Sequence, residues 1–320
     1  MTDSVRIETI TLGDELLLGI RENEHLTYLG AQLAHHGIEA AANLVIRDQT
    51  EDIKLFFTDC WKRSDVVITT GGLGPTSDDI TRETIAEILG EKMVYDTQIE
   101  DAIKERFLQL ERPMPKSNNR QCYRPESAEV LNNPYGTAPG LFLKKENKIL
   151  VMLPGPAREM HPMFLEQVVP RLQEEGIFPE IDCYLQLRTA GIGESALAEL
   201  VQPILSEING LIVGYCAHAG MVDLRLSSLD GNSISEKQLQ EIGDSCREEL
   251  GENFVCFGDH SLARVIFREL RSLDKTLAVA ESCTGGLLSS QFTEIPGISK
   301  VFHGGAVCYH NDAKVQILDV

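Results

Sequence analysis

Along the first half of the chain, short apolar runs alternate with stretches in which apolar residues recur every three or four positions. The run VRIETITLG (5–13) is β-branched and closes on glycine, which predicts a strand. NEHLTYLGAQLAHHG (23–37) has helical spacing and ends on Gly37, a residue suited to the left-handed position just past a helix. IEAAANLVIRD (38–48) predicts a strand, TEDIKLFFTDCWKRS (50–64) a helix with Thr50 as N-cap, and DVVITTGG (65–72) a short buried strand. DDITRETIAEILG (78–90) predicts a helix opening at Asp78-Asp79 and closing on Gly90. Strands and helices in this alternation predict an α/β fold, a largely parallel sheet covered by helices on both faces.

The pattern then changes. Residues 111–140 are rich in Pro, Asn and Gly and lack period, which predicts a long loop that is either functional or disordered. LFLKKENKILVMLPG (141–155) predicts a hairpin, and PAREMHPMFLEQVVPRLQEEG (156–176) a helix with Pro156 near its start. Residues 181–257 read β-α-β-β-α-β, a small α+β domain of the split type. DHSLARVIFRELRSLDKTLAVAE (259–281) then predicts a helix and a buried strand. These breaks divide the chain into 1–176, 177–257 and 258–320.

Composition narrows the function classes. A formal net charge of −20 repels nucleic-acid phosphates, so no nucleic-acid partner is expected. No apolar run reaches the roughly 20 residues of a membrane span, and MTDSVRIETI lacks the basic start and apolar core of a signal peptide. No membrane partner and a cytoplasmic location follow as expectations. The eight cysteines are scattered singly with no C-x-x-C, which fits small buried side chains in a reducing compartment.

The densest chemical signal is VVITTGGLGPTSDD (66–79). A buried strand meets the loop Gly71-Gly72-Leu73-Gly74-Pro75, ahead of a helix, at the carboxyl end where open α/β sheets bind ligands. Glycines let a backbone approach a phosphate closely. Asp78 and Asp79 would repel that phosphate unless a divalent cation lay between, although carboxylates at a helix start also suit the helix dipole. The residue types therefore point to a metal-bridged diphosphate site. Glu15, after the first strand, is a further metal ligand, a general base or a solvated acid. LPGPAREM (153–160) repeats the strand–turn–helix logic with Arg158, which either clamps phosphate or pairs at the surface with Glu159. SNNRQCYRP (117–125) offers polar and aromatic contacts to a base or ribose.

TGGLGPTSDDITRE, NPYGTAPG and LPGPAREM, in this order, resemble the N-terminal domain of the competence/damage-inducible protein A (CinA) family. The resemblance covers the whole chain. It implies a three-layer αβα domain like MogA and MoaB, a KH-like α+β domain and a C-terminal α/β domain. It also implies metal-dependent ADP-ribose pyrophosphatase activity in the first domain, with the cation Mg²⁺, Mn²⁺ or Co²⁺. On that reading Asp78 and Asp79 hold the cation with help from Glu15. The Gly71–Pro75 loop, Thr76 and Arg158 contact a nucleotide substrate. A nucleotide- or pterin-binding module without catalysis, and adenylyl transfer to molybdopterin, remain alternatives. A homodimer is a further expectation.

The last region carries AVAESCTGG (278–286) and YHNDAK (309–314), which resemble the family's nicotinamide mononucleotide (NMN) deamidase domain. Deamidation needs a nucleophile, a base and oxyanion donors. Ser282 and Cys283 are both candidate nucleophiles, and His303, His310 and Lys314 are candidate bases. The resemblance favours Ser282 with Lys314, oriented by Tyr309, and leaves Cys283 as a packing residue. In the family this domain continues beyond the equivalent of Val320, so the chain reads as truncated with little or no deamidase activity.

Overall fold

The computed structural model describes residues 5–179, 184–228 and 233–320. They form two compact units, Met1–Tyr184 with Ser228–Glu236, and Leu185–Ser227 with Lys237–Val320.

The elements of the first unit are, in order, β1 (Ile7–Leu12), α1 (Asp14–Leu17), α2 (Glu24–His35), β2 (Ala40–Ile46), α3 (Thr50–Arg63), β3 (Val66–Thr70), α4 (Thr81–Leu89), β4 (Met93–Tyr95) and α5 (Thr97–Gln109). There follow β5 (Tyr123–Pro125), β6 (Glu129–Leu131), β7 (Gly140–Lys145), β8 (Lys148–Leu153), α6 (Ala157–Met163) and α7 (Val169–Glu174). The main sheet has the order β2-β1-β3-β8-β7-β6. Its first four strands run parallel, and the expected hairpin adds β7 and then β6 antiparallel. Leu29 and Leu33 of α2 and Met160 and Phe164 join the core on one face. Ile53, Phe57 and Trp61 of α3 and Ile85 and Leu89 of α4 join it on the other. The result is the three-layer αβα arrangement. Both faces are covered, so β1 is buried at all six positions, as its β-branched run implies.

β1 also buries Glu8, which accepts hydrogen bonds from Arg6 Nε (2.8 Å), Arg63 Nε (2.7 Å) and Arg63 Nη2 (2.8 Å). Burial pushes its carboxyl up, but the bonds from Arg63, Cys60 and Arg6 outweigh that and leave it at about 2.

Four local expectations are corrected. Thr50 is the first helical residue of α3, and the N-cap is Gln49, whose side chain makes no cap bond. Helix α4 starts at Thr81, so Asp78 and Asp79 lie in the turn before it. Asp79 Oδ2 turns back to accept from the Thr76 N–H (2.9 Å) and hydroxyl, a local alternative to helix. The predicted helix 156–176 is interrupted by a π-helical turn, Phe164–Val168, where Pro170 has no N–H to continue the ladder. Residues 111–140 are not one loop: they contain a 3₁₀ helix, Lys116–Cys122, as well as β5 and β6.

In the second region, β9 (Tyr184–Ala190), α8 (Glu194–Leu205), β10 (Leu211–His218), β11 (Met221–Ser228), α9 (Glu236–Leu250) and β12 (Phe254–Phe257) follow the expected β-α-β-β-α-β order. Residues 181–183 of the predicted first strand, Cys183 included, lie outside the described residues. The sheet order is β10-β11-β9-β12. Its buried polar centre is Asp223, which accepts from Arg188 Nε and Nη2 (both 2.8 Å) and Gln186 Nε2 (2.8 Å) and lies 3.0 Å from His218 Nε2. The remaining Arg188 nitrogen, Nη1, donates to the carbonyls of Asp259 (2.8 Å) and His260 (2.7 Å). The chain then forms α10 (Leu262–Ser272), β13 (Leu277–Glu281), α11 (Leu287–Thr293), β14 (Phe302–Val307) and α12 (Asn311–Leu318), with β13 and β14 parallel. Among the described residues, no helix is long and apolar enough to cross a membrane.

Candidate active site

β1, β2, β3 and β8 all end at one rim of the first sheet, and the strand order reverses between β1 and β3. Parallel sheets open a crevice at such a point. A cavity of about 850 Å³ occupies it. Each strand end contributes: Glu15 after β1, Asp48 after β2, Gly71–Pro75 after β3 and Pro154–Arg158 after β8. His25, from the first turn of α2, also lines it.

The glycine loop has no room for side chains. Gly71 has φ 98°, and a Cβ there would lie 2.6 Å from the Leu12 carbonyl oxygen. Gly72 has φ 65°, and its Cβ would lie 1.9 Å from Thr81 Oγ1. The loop is braced by the 3₁₀ helix. Arg120 donates through Nη1 to the Thr76 carbonyl (2.6 Å) and through Nη2 to the Asp79 carbonyl (3.1 Å). Gln121 Nε2 donates to the Leu73 carbonyl (3.2 Å). The segment expected to meet a base or ribose thus turns Arg120 and Gln121 onto the loop's own backbone.

The acids at the rim crowd one another. Asp48 is half-buried, and its carboxyl is pushed up to about 6 by burial first and then by Asp14, Asp79, Glu15 and Asp78. Asp78 is held below its ordinary value by the neighbouring Thr76 side chain first, then by its own backbone N–H and by the charge of Arg120. Thr76 gives both its N–H and its hydroxyl to Asp79, so neither donor is free in this geometry. Among the described residues, no group of three or more His, Cys, Asp or Glu side chains could by itself hold a metal ion. The donor set fits a cation that takes one or two carboxylates and completes its shell from a ligand's phosphate.

His25 Nδ1 lies 2.9 Å from Thr70 Oγ1, and burial lowers its pKa, with the Gly155 backbone, Glu24 and Glu15 opposing. Arg158 is exposed, 3.8 Å from Glu159 at the cavity edge. Glu159 instead faces inward, accepting from Asn133 Nδ2 (2.8 Å) and fixing the NPYGTAPG loop. Asp48, His25, Gln121 and Glu159 were not singled out from sequence. Asp48 ends a predicted strand, so the strand-end rule applied to Glu15 would have found it; nothing local marks His25.

The ESCTGG turn is built differently. Glu281, 5% exposed at the end of β13, reaches across it to accept from the N–H groups of Leu288 (2.9 Å) and Ser289 (2.9 Å) and from the Ser289 hydroxyl (2.5 Å). The hydrogen bonds of Ser289 lead in holding its carboxyl down at about 2. The Gly285 and Leu287 N–H groups bond within the turn, to Ser282 O (3.1 Å) and Thr284 O (3.0 Å). Ser282 and Lys314 are half-buried, and no hydrogen bond joins them among the described residues; Tyr309 is exposed. Cys283 is exposed as well, which corrects its reading as a packing residue.

Residues 8–174 match the family model described as "Probable molybdopterin binding domain". Residues 186–256 match the damage-inducible protein CinA KH domain, and residues 259–320 the CinA C-terminal domain. A CinA-like protein of Kosmotoga olearia is 38% identical across 99% of this chain and 76% of its own length. The chain belongs to the CinA family. A second CinA-like protein, from Syntrophomonas wolfei, is 37% identical across 97% of this chain and 75% of its own length. Among solved structures, CinA from Thermoplasma acidophilum is 30% identical, covering 53% of this chain and 99% of that one, with a TM-score of 0.49. MoaB from Thermus thermophilus is 22% identical, covering 53% and 96%, with a TM-score of 0.36. By its family matches, the chain joins a MogA/MoaB-like α/β domain to KH and C-terminal domains.

Proposed function

We propose that the first domain hydrolyses the diphosphate of ADP-ribose, with water, to AMP and ribose 5-phosphate, using a bound divalent cation. The observation that carries this reading is the crowding at Asp48, whose carboxyl is pushed to about 6 by burial and four acidic neighbours beside a glycine loop. A positive charge among them relieves that repulsion and lets a phosphate approach. Asp78 and Asp79 would hold the cation, close enough to relieve Asp48, and when bound it would neutralise charge developing on the diphosphate. The Gly71–Pro75 backbone supplies close approach for the phosphates, and Arg158 at the rim supplies a guanidinium to an outer oxygen. Glu15, which lines the cavity, would accept the proton of the attacking water. The test is incubation with ADP-ribose and Mg²⁺, Mn²⁺ or Co²⁺, reading AMP by chromatography. Asp78→Asn/Asp79→Asn should abolish release at a nearly unchanged melting temperature; wild-type release by that variant would refute the assignment. The family model's description favours one rival, a pterin-binding domain, and calorimetry showing tight pterin binding without nucleotide binding would reverse the ranking.

For the C-terminal domain we infer amide hydrolysis of NMN, with Ser282 as nucleophile, Lys314 as base and Tyr309 orienting them. The turn supports this reading, since among the described residues the N–H groups of Cys283, Thr284 and Gly286 have no backbone acceptor. Turnover in this chain should be low, because Lys314 does not engage Ser282 in this geometry and nucleophilic catalysis depends on close positioning. Ammonia release from NMN by the wild type and Ser282→Ala measures it.

A further inference from the structure

A second cavity, of about 590 Å³, lies in the first unit between α5 and β6. Its floor is apolar. Ile99, Ile103 and Ala128 are buried, and Val130 packs with the two isoleucines. The charges along its walls are already paired. Arg124 donates Nε to Asp96 (2.7 Å) and Nη1 to the carbonyls of Pro125, Glu126 and Ala128, while Arg171 bonds Glu129 (3.1 Å). Glu126 has no ion pair among the described residues. A phosphate would therefore meet an uncompensated carboxylate and only arginines that carboxylates already engage.

The remaining wall is the free edge of a sheet. β6 is the last strand and pairs only with β7. Just beyond it, the side-chain amide of Gln167 binds the backbone of Asn132 from the open side, accepting from its N–H (2.8 Å) and donating to its C=O (2.7 Å). Strand residues two apart point the same way, so Val130 turns its own N–H and C=O to that open side. Gln167 thus displays the kind of group this edge accepts, a planar amide with a donor beside an acceptor. Val130 offers the same pair next to an apolar floor.

We propose that this cavity is a second small-molecule site, taking an uncharged heterocycle of nucleobase or nucleoside size whose rim carries a donor beside an acceptor. Its volume falls in the range of small-ligand pockets. Thr137 lines this cavity and the glycine-loop cavity alike, so one loop forms a wall of both.

The test is methyl NMR on isoleucine-labelled protein titrated with adenine, adenosine and AMP. Adenosine should move the Ile99 and Ile103 methyls in a saturable manner at millimolar concentration. AMP should act there at least about tenfold more weakly, a difference of about 1.4 kcal/mol. Ala102→Trp, on the exposed face of α5, should fill the cavity and abolish the shifts while the Ile10, Ile53 and Ile68 methyls stay in place. Glu126→Arg, which leaves the floor intact, should bring AMP to at least the affinity of adenosine. Unmoved Ile99 and Ile103 methyls, equal shifts in Ala102→Trp, or equal binding of AMP and adenosine to the wild type would each overturn the proposal. Movement by an extended peptide and not by adenosine would reassign the edge to strand addition and overturn it too. The readout does not involve turnover, so its outcome is separate from that of the hydrolase reading.

Discussion

Asp48 and Glu281 occupy equivalent places, each at the carboxyl end of a parallel strand beside a turn that leads into a helix, and they are opposites. Glu281 is filled by its own chain: the Ser289 hydroxyl and N–H and the Leu288 N–H hold it at about 2. Asp48 is half-buried near Asp14, Asp79, Glu15 and Asp78 and sits at about 6. A strand-end carboxylate that the fold satisfies fixes a turn. On the proposed hydrolase reading, one that the fold leaves among like charges stores an affinity for a cation.

The largest effect should come from removing that affinity. Asp48→Asn should lower metal-dependent AMP release at least about a hundredfold, about 2.7 kcal/mol in the barrier, and Glu281→Gln should leave it unchanged. Full turnover by Asp48→Asn would make the two carboxylates alike.

The loops themselves should differ nearly as much. Gly72→Ala meets Thr81 Oγ1 at 1.9 Å with φ at +65° and should cost about 3 kcal/mol in a urea melt. Gly285 has φ +58° but nothing within 4 Å of a Cβ, so Gly285→Ala should cost only about 1 kcal/mol. Equal costs would show that neither loop is held by close approach.

Glu281→Gln removes the charge that receives three donors, and the Leu288 and Ser289 amides should then exchange at least about tenfold faster. Unchanged exchange would show that α11 does not depend on this cap.

The smallest effect concerns pH, and its sign separates the pair. The raised pKa of Asp48 favours folding below the ordinary value of 3.8, and that contribution is lost as pH rises through about 6. Asp48→Asn should therefore stabilise the protein by about 1 kcal/mol above that range, discounted for solvent screening, and by nothing below it. Glu281, depressed from 4.5 to about 2, should show the reverse, losing its contribution as pH falls toward 2. Melting curves across pH for the single variants read both.

Much of this contrast was legible in the sequence. The alternation of strand and helix gave the three layers, and Gly71-Gly72 marked the loop because few other residues suit their φ angles. What could not be read was long-range. Arg120 and Gln121 lie more than 40 positions from the carbonyls of Thr76 and Leu73 that they bind, and nothing in SNNRQC announces that target. The start of α4 was misplaced because Asp79 looks the same in sequence whether it opens a helix or folds back on Thr76. Ser282 and Lys314 were joined by resemblance alone, and no hydrogen bond joins them among the described residues.

The hold of Arg188 on the chain after β12 bears on how such proteins are assembled over evolutionary time. Two of its nitrogens serve Asp223 and the third serves the carbonyls of Asp259 and His260. A recombination event that spliced a foreign segment in at residue 258 would keep the arginine and disturb the backbone it grips. That would strand donors of a largely buried cation. The KH and C-terminal regions are therefore expected to be inherited together, and a hybrid joined at that point should carry a defect in the KH region, far from the graft's own chemistry.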